Sequence, residues 1–346
     1  MNPAKFYEHI FSPLGEGADS FGASGLISFL RAPHIRMTDD ALKDTGARYA
    51  FIGVPYEEGN IGKPGSSDAP REMRFMSHEY FSYWFEYEVD TYADWLDCGD
   101  VRIPKVVPDM ARARIYEAVR AVLAAGLIPV LCGGDQSIAI PAAKALSDHL
   151  GASKKLGFLQ FGAHLSMADE WGGERNTNAS VMARVSELEN NSPRSLAHIG
   201  ARNFMNPKDW WDLGTARGIG IHPMSELLKR GVGPAVGDAI DTVCANSDAQ
   251  YVSVNANILD ASAAPGVTFP EPGGLESREL MVVADLLGER NSIAMIDATE
   301  LCPVMDVNGN TAKLLACFLL RIAAVAARKR GSRVDPSIKR EQLRAG

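Results

Sequence analysis

Cysteine is scarce and scattered: Cys98, Cys132, Cys244, Cys302 and Cys317 are odd in number, far apart and never set as Cys-x-x-Cys. That excludes a disulfide framework and a zinc knuckle, and it points to the cytoplasm. Basic charge is also in short supply. Lys and Arg number 35 against 43 Asp and Glu, a net charge of −8, and no basic run is long enough to follow a phosphate backbone. Nucleic acid is therefore not an expected partner. The one basic cluster, Arg328 to Arg330, follows a helical pattern, where cations complement the carbonyl end of the helix dipole. A clean membrane-spanning run is lacking too. The most apolar segment, Thr311 to Ala327, is interrupted by Lys313 and Arg321 and reads as a buried helix, so no membrane is expected. Glu8, Glu16 and Asp19 stand early, without the apolar run and cleavage signal of a secretory leader. Neither an internal repeat nor a low-complexity linker divides the chain, which leaves one domain as the expectation.

What is present is a chain of 346 residues, 46% hydrophobic and 23% charged, enough to bury a large core. Short apolar runs predict strands at Tyr49 to Val54, Leu127 to Leu131, Leu156 to Phe161, Gly218 to Ile221, Tyr251 to Val254 and Ile293 to Ile296. These runs are continuous rather than alternating, as strands covered on both faces require. Between them lie helical patterns. The clearest puts Ile115, Ala118, Val119, Val122 and Leu123 on one stripe, with Gly126 as the stop. The alternation predicts a three-layer α/β/α domain with a mainly parallel sheet over residues 49–330. Residues 1–48 are expected to pack on it as an N-terminal segment, and 331–346 to form a C-terminal tail. In such sheets the working residues gather on loops leaving the C-terminal ends of the strands.

Those loops read Gly133-Gly134-Asp135-Gln136-Ser137, Gly162-Ala163-His164-Leu165-Ser166, Asn255-Ala256-Asn257-Ile258-Leu259-Asp260 and Asp297-Ala298-Thr299-Glu300-Leu301-Cys302-Pro303. Before the last comes Ala264-Pro265-Gly266, leading to Pro270-Glu271-Pro272-Gly273-Gly274-Leu275. In order and spacing, from about Phe51 to Ala327, these motifs resemble the ureohydrolases, the arginase and agmatinase family of metal-dependent amidine hydrolases. Gly53-Val54-Pro55, Gly62-Lys63-Pro64-Gly65 and Pro70-Arg71 resemble the family's first loop, and Phe29-Leu30-Arg31-Ala32-Pro33 the N-terminal segment of agmatinase-type members. The resemblance implies an arginase-like fold, a paired metal centre and a trimeric or hexameric assembly. The prolines and glycines of Pro270 to Gly274 shape turns and speak for fold rather than activity.

The departures fall on the positions that the resemblance implies are metal ligands. Gln136 stands where the family has the His of Gly-Gly-Asp-His. Gly162, His164 and Ser166 stand for the three ligands of Asp-Ala-His-x-Asp, and Asn255 and Asn257 for the carboxylates of Asp-x-Asp. Of these six positions only His164 keeps the family residue, and alone it reads as a hydrogen-bonded structural histidine. Four of the six are carboxylates in the family, opposing the charge of two divalent ions. A neutral shell cannot offset the desolvation of such ions, so no metal is expected in this chain. Without metal, water keeps a pKa near ~15.7 rather than ~7, and guanidine hydrolysis lacks its nucleophile. Asn178 falls where the family has a proton-handling His. Glu300 matches a Glu that pairs with the substrate guanidinium in several members, a role suited to two parallel charge-assisted bonds, and it can equally cap a turn. Asp135 and Asp260 are expected to brace their loops, and Asn178, Asp260 and Glu300 to mark a residual pocket.

Three functions follow as expectations. The first is a non-catalytic subunit that assembles with a catalytic ureohydrolase paralogue carrying two Mn or Ni ions, in a hetero-oligomer that hydrolyses a guanidine or biguanide. A duplicated subunit that loses its chemistry keeps the contact surface of its relatives, which puts this reading first. The second is a stand-alone protein that binds a small amidine-like ligand. The third is relocated chemistry at Cys132, Cys302, Asp169 or Glu170. It lacks a constellation, since Cys132 falls in a buried strand with no neighbouring His and the acidic residues with Glu174 read as a solvated loop.

Overall fold

In chain order the strands are β1 (Tyr49–Gly53), β2 (Tyr83–Trp84), β3 (Val89–Asp90), β4 (Trp95–Asp100), β5 (Ile128–Cys132), β6 (Leu156–Phe161), β7 (Leu196–Ile199), β8 (Gly220–His222), β9 (Ala249–Asn255) and β10 (Ile293–Thr299). They belong to a computed structural model that describes residues 27–35, 42–43, 45–104, 106–290 and 292–331. Strands β2 and β3 form a short antiparallel hairpin. The other eight pair in parallel in the order β4-β1-β5-β10-β9-β6-β7-β8. The parallel sheet is as the apolar runs predict. The run expected from Gly218 starts only at Gly220, because Gly218 itself turns at φ 74°. Strands β4 and β7 are not among the predicted runs. Asp97 and Asp100 break the apolar pattern of β4, and β7 is a four-residue strand with His198 inside it.

Side chains alternate across the sheet as strand geometry dictates. Tyr49 and Phe51 of β1 face one core, and Ala50 and Ile52 the other. The first core is covered by α1 (Ala69–Ser77), α7 (Val232–Ala245), α8 (Ser277–Gly288) and α9 (Asn310–Lys329). The second is covered by α2 (Pro108–Ala124), α3 (Ala139–Leu150) and α4 (Val181–Val185). Helices α5 (Lys208–Ala216) and α6 (Met224–Arg230) flank β8 in the chain. In α2 the predicted stripe buries Ile115, Val119, Val122 and Leu123, and Gly126 ends the helix at φ 77°. Helix α9 has the length and apolarity of a membrane span, yet most of it is buried, packed on α8 and α1. The two charges in its interior are paired, Arg321 with Asp285 and Lys313 with Glu79.

Within the expected N-terminal segment, residues 27–35 lie on the β1–β4 edge. Phe29 stacks on Phe51 at 4.5 Å between ring centroids, and its backbone N–H donates to Asp97 Oδ2 at 2.7 Å. Asp97 is fully buried and also accepts Arg74 Nε at 2.7 Å and Nη2 at 3.0 Å. Residues 332–346, most of the expected C-terminal tail, lie outside the described residues. Removing one partner of a buried ion pair leaves the other charge unsolvated. Arg74→Met is therefore expected to lower the unfolding free energy in urea titrations by ~3–5 kcal/mol, and a loss below ~1 kcal/mol would mean that the pair does not hold this edge.

Candidate functional site

The four central strands, β5-β10-β9-β6, carry the four loops that hold Gln136, His164, Asn255 and Glu300. After β5 the backbone turns sharply through Gly133 at φ 104° and Gly134 at φ 65°. A Cβ on Gly134 would sit 2.0 Å from the carbonyl oxygen of Tyr56, so only glycine allows this approach. Asp135 then caps the turn Gln136–Ile138, accepting Ser137 N at 2.7 Å, while its other oxygen accepts Gly59 N at 3.0 Å. It braces the loop, as expected.

Gln136, Ser166, Asn255 and Asn257 meet above the sheet and bond to one another or to their neighbours. Asn257 Oδ1 accepts the backbone N–H of Ala163 at 2.9 Å, and Asn255 Oδ1 accepts that of Asn257 at 3.0 Å. Because a backbone N–H can only donate, these two bonds fix which end of each amide is oxygen. Asn255 Nδ2 must then donate to Gln136 Oε1, at 3.1 Å, and Gln136 Nε2 to Ser253 Oγ, also at 3.1 Å. Ser253 passes the chain to Asp297 Oδ1 at 3.1 Å. Gln160, fully buried in β6, donates to Ser166 Oγ at 3.1 Å and to Gln136 Oε1 at 3.4 Å. Asn257 Nδ2 donates to His164 Nδ1 at 3.3 Å, which leaves the imidazole proton on Nε2. Gly162 contributes no side chain; a Cβ there would lie 3.3 Å from Asn257 Oδ1 and 3.4 Å from Asn255 Cβ.

Above this floor opens a cleft of about 640 Å³, part of it open to solvent. Its walls are apolar: Ile61, Trp171, Met205, Trp210 and Phe269. Its polar lining is His164, Ser166, Asn178, Asn255, Asn257 and Glu300. Ser166 at φ 52° and Glu300 at φ 65° hold left-handed conformations that cost of the order of 1 kcal/mol each outside glycine. Glu300 Oε1 accepts Gln136 N and Asn178 Nδ2, each at 2.9 Å, and Oε2 accepts the Thr268 hydroxyl. Asn178 spends its other N–H on Asn60 Oδ1 at 3.1 Å, and its oxygen accepts Ile61 N at 3.3 Å.

Burial sets the charges. It raises the pKa of Glu300 and of Asp135, and the negative charge of Glu300 raises Asp135 further. Asp297 is pushed up to about 7 by burial, against hydrogen bonds from Tyr251, Ser253 and Val254 N. His164 is lowered by burial despite Glu271 at 3.6 Å from Nε2, so the ring is neutral and the contact is not an ion pair. His198 is lowered to about 3 by burial.

Asn178 and Glu300 thus line the cleft as the sequence suggests. Asp260 does not: it sits on the neighbouring loop and accepts Ser262 N at 2.9 Å and Gly273 N at 2.6 Å, bonds that lower it to about 2. Its work is to brace the Pro270 to Gly274 turn. Relocated chemistry finds no geometry. Cys132 and Cys302 are buried and burial raises both thiols, while Asp169 is paired with Arg175 and Arg184 at the surface. Sequence reasoning missed His198, whose Nε2 lies 3.1 Å from Gly162 O, and Glu57, which accepts Gly65 N at 2.6 Å and Ser66 N at 2.8 Å. It also missed the Tyr251–Asp297–Ser253 chain under Gln136 and the Trp171 and Trp210 walls, which belong to no motif.

An Arginase family model matches residues 47–324, and the chain belongs to that family. Among its curated relatives is the guanidinopropionase of Pseudomonas aeruginosa, 30% identical over 310 residues that cover 88% of this chain and 92% of the relative. The formimidoylglutamase of Bacillus subtilis is 28% identical over 277 residues, 78% of this chain and 85% of the relative. In fold the chain is similar to the solved structure of proclavaminate amidino hydrolase from Streptomyces clavuligerus, with a TM-score of 0.81 and 23% identity over 90% of this chain and 99% of that one.

The family's motifs imply a pair of divalent ions on this floor, and the residues present do not fit one. Each amide oxygen that could face a cation already accepts a hydrogen bond, and His164 Nδ1 is taken by Asn257. Among the described residues no group of three or more His, Cys, Asp or Glu side chains is placed to hold a metal.

The raised acids give this core a pH dependence of definite sign. A carboxyl group with a raised pKa stays protonated in the folded chain where the unfolded chain has released the proton, so its stabilising contribution is complete at acid pH and fades as pH rises. From about pH 4 to the Asp297 value of about 7, each such proton is expected to contribute a fall in unfolding free energy of up to ~1.4 kcal/mol per pH unit. Groups held low act with the opposite sign: Asp260 below that window, and the buried histidines His78, His164 and His198 within it, because the unfolded chain binds their protons up to about pH 6.5. Urea titrations of the parent chain and of Asp297→Asn at pH 5, 6 and 7 isolate the Asp297 contribution, and a parent chain whose stability does not fall relative to the variant across this range would contradict the assignment.

Proposed function

We propose that this chain is a non-catalytic subunit of a ureohydrolase-type enzyme, supporting a catalytic paralogue in a hetero-oligomer. The observation that carries the reading is the neutral, mutually hydrogen-bonded floor of Gln136, Ser166, Asn255 and Asn257 within a complete family fold. A floor without charge holds no paired divalent ions, and without them no metal-activated water attacks an amidine. The paralogue would carry the two Mn or Ni ions and the chemistry. The complex would act in the cytoplasm on a guanidine or biguanide, with metformin as the model biguanide and C–N cleavage to a urea-type product and an amine. This chain would contribute its family's contact surface in a trimer- or hexamer-based assembly, holding the neighbour's loops where a shift of ~1 Å costs ~100-fold in rate.

A second reading is favoured by the cleft itself, which is open above the altered floor. On that reading the chain works alone and binds a small amidine-like ligand.

Elemental analysis tests the floor first. After Mn²⁺ or Ni²⁺ loading and desalting, the purified chain is expected to retain well under one ion per chain, and two retained ions would sink the reading. Assembly is tested by co-expression with a ureohydrolase whose Gly-Gly-Asp-His and Asp-Ala-His-x-Asp motifs are intact, followed by an assay for released urea or amine. Activity is expected only when both proteins are present, in one peak on a sizing column. Full activity from the partner alone, with no complex, would transfer the argument to the second reading.

A further inference from the structure

The cleft offers more than an absent metal site, because the hydrogen-bonding sense of its lining can be worked out atom by atom. The backbone donors Ala163 N and Asn257 N fix the oxygens of Asn257 and Asn255, so both Nδ2 groups are donors. Each has two N–H bonds and uses one, toward His164 Nδ1 and Gln136 Oε1 respectively. The bond to Nδ1 puts the His164 proton on Nε2, a buried atom that faces Glu271 Oε1 at 3.6 Å. Two residues of the cleft lining therefore carry an unspent donor, Asn255 and Asn257. Acceptors are few. Asn178 has both N–H bonds spent and its oxygen engaged, and Glu300 accepts three bonds already, leaving one lone pair on Oε2.

A guanidinium ion brings donors only and would set them against these two. A free anion would meet Glu300 and, beside His164, Glu271. A neutral carbonyl compound suits both sides: its oxygen accepts from the two amides, one N–H can reach Glu300, and an alkyl group can lie against Trp171 and Phe269. We infer that the cleft is a binding site for a neutral carboxamide or N-alkylurea and discriminates against the corresponding guanidinium. This rests on the reading that the floor is metal-free, and the two can fail separately.

The test titrates the full-length chain, with metal content measured on the same sample, with N-butylurea, butyramide and N-butylguanidinium. Calorimetry and tryptophan fluorescence are the readouts, since Trp171 and Trp210 line the cleft. N-butylurea is expected to bind at least about tenfold more tightly than N-butylguanidinium, the difference that one or two hydrogen bonds gained or left unmade supply. Asn257→Asp turns a donor into an acceptor and is expected to reverse the preference, which mere loosening of the loop would not do. Should that variant fail to fold, Trp171→Ala on the half-exposed rim is expected to weaken N-butylurea binding at unchanged thermal stability. Metal-free chain that binds neither neutral probe, or prefers the guanidinium, overturns the inference and leaves the subunit proposal standing. Chain that retains two metal ions overturns the subunit proposal.

Discussion

Two backbone N–H groups, those of Ala163 and Asn257, must find acceptors at the crowded upper edge of a fully covered sheet, and almost everything at the site follows from how they do so. Each takes a side-chain amide oxygen. A buried donor left unmade would cost about 1–3 kcal/mol, so these amides are not free to turn. Their orientation sets that of Gln136, the tautomer of His164 and the polarity of the cleft lining. Loops from β5, β6 and β9 are thereby cross-linked without any charge among the residues that join them.

Acidic side chains surround this floor without belonging to it. Asp135 and Asp297 are fully buried beside or beneath it, each oxygen engaged by a donor from backbone, serine or tyrosine. Glu300 reaches the cleft but is spoken for by Gln136, Asn178 and Thr268. These acids tie loops to one another, with Glu300 linking β10 to the turn after β5 and to the 60s loop through Asn178. Their raised pKa values are the electrostatic sign of that burial.

Much of the frame was legible in the sequence, because the residues that build it are the ones with little conformational choice. Gly133 and Gly134 permit a turn that any side chain would block, and continuous apolar runs mark strands covered on both faces. The amide substitutions were visible as letters at family positions, but their mutual bonding was not, since the bonds from Asn255 to Gln136 and from Asn257 to His164 join residues more than ninety positions apart. Strand β4 was hidden by the buried Asp97, whose counter-ion Arg74 lies on a different element. Asp260 and Asn178 looked alike as loop polar residues. Only the placement of Gly273 and of Asn60 separates the turn brace from the cleft wall.

The mutual bonding of the amides also bears on how such a chain can change over generations. Gln136 Oε1 accepts both Asn255 and Gln160, and Asn255 joins Gln136 to the backbone of Asn257. Replacing any one of these amides by a carboxylate or an imidazole removes a donor or an acceptor from the set and buries a group that no ion compensates. If, as proposed, the chain descends from a metal-binding ancestor, every first step back is thus unfavourable taken alone. The hydrogen-bonded floor would then act as a ratchet and turn selection toward what the pocket and outer surface can do.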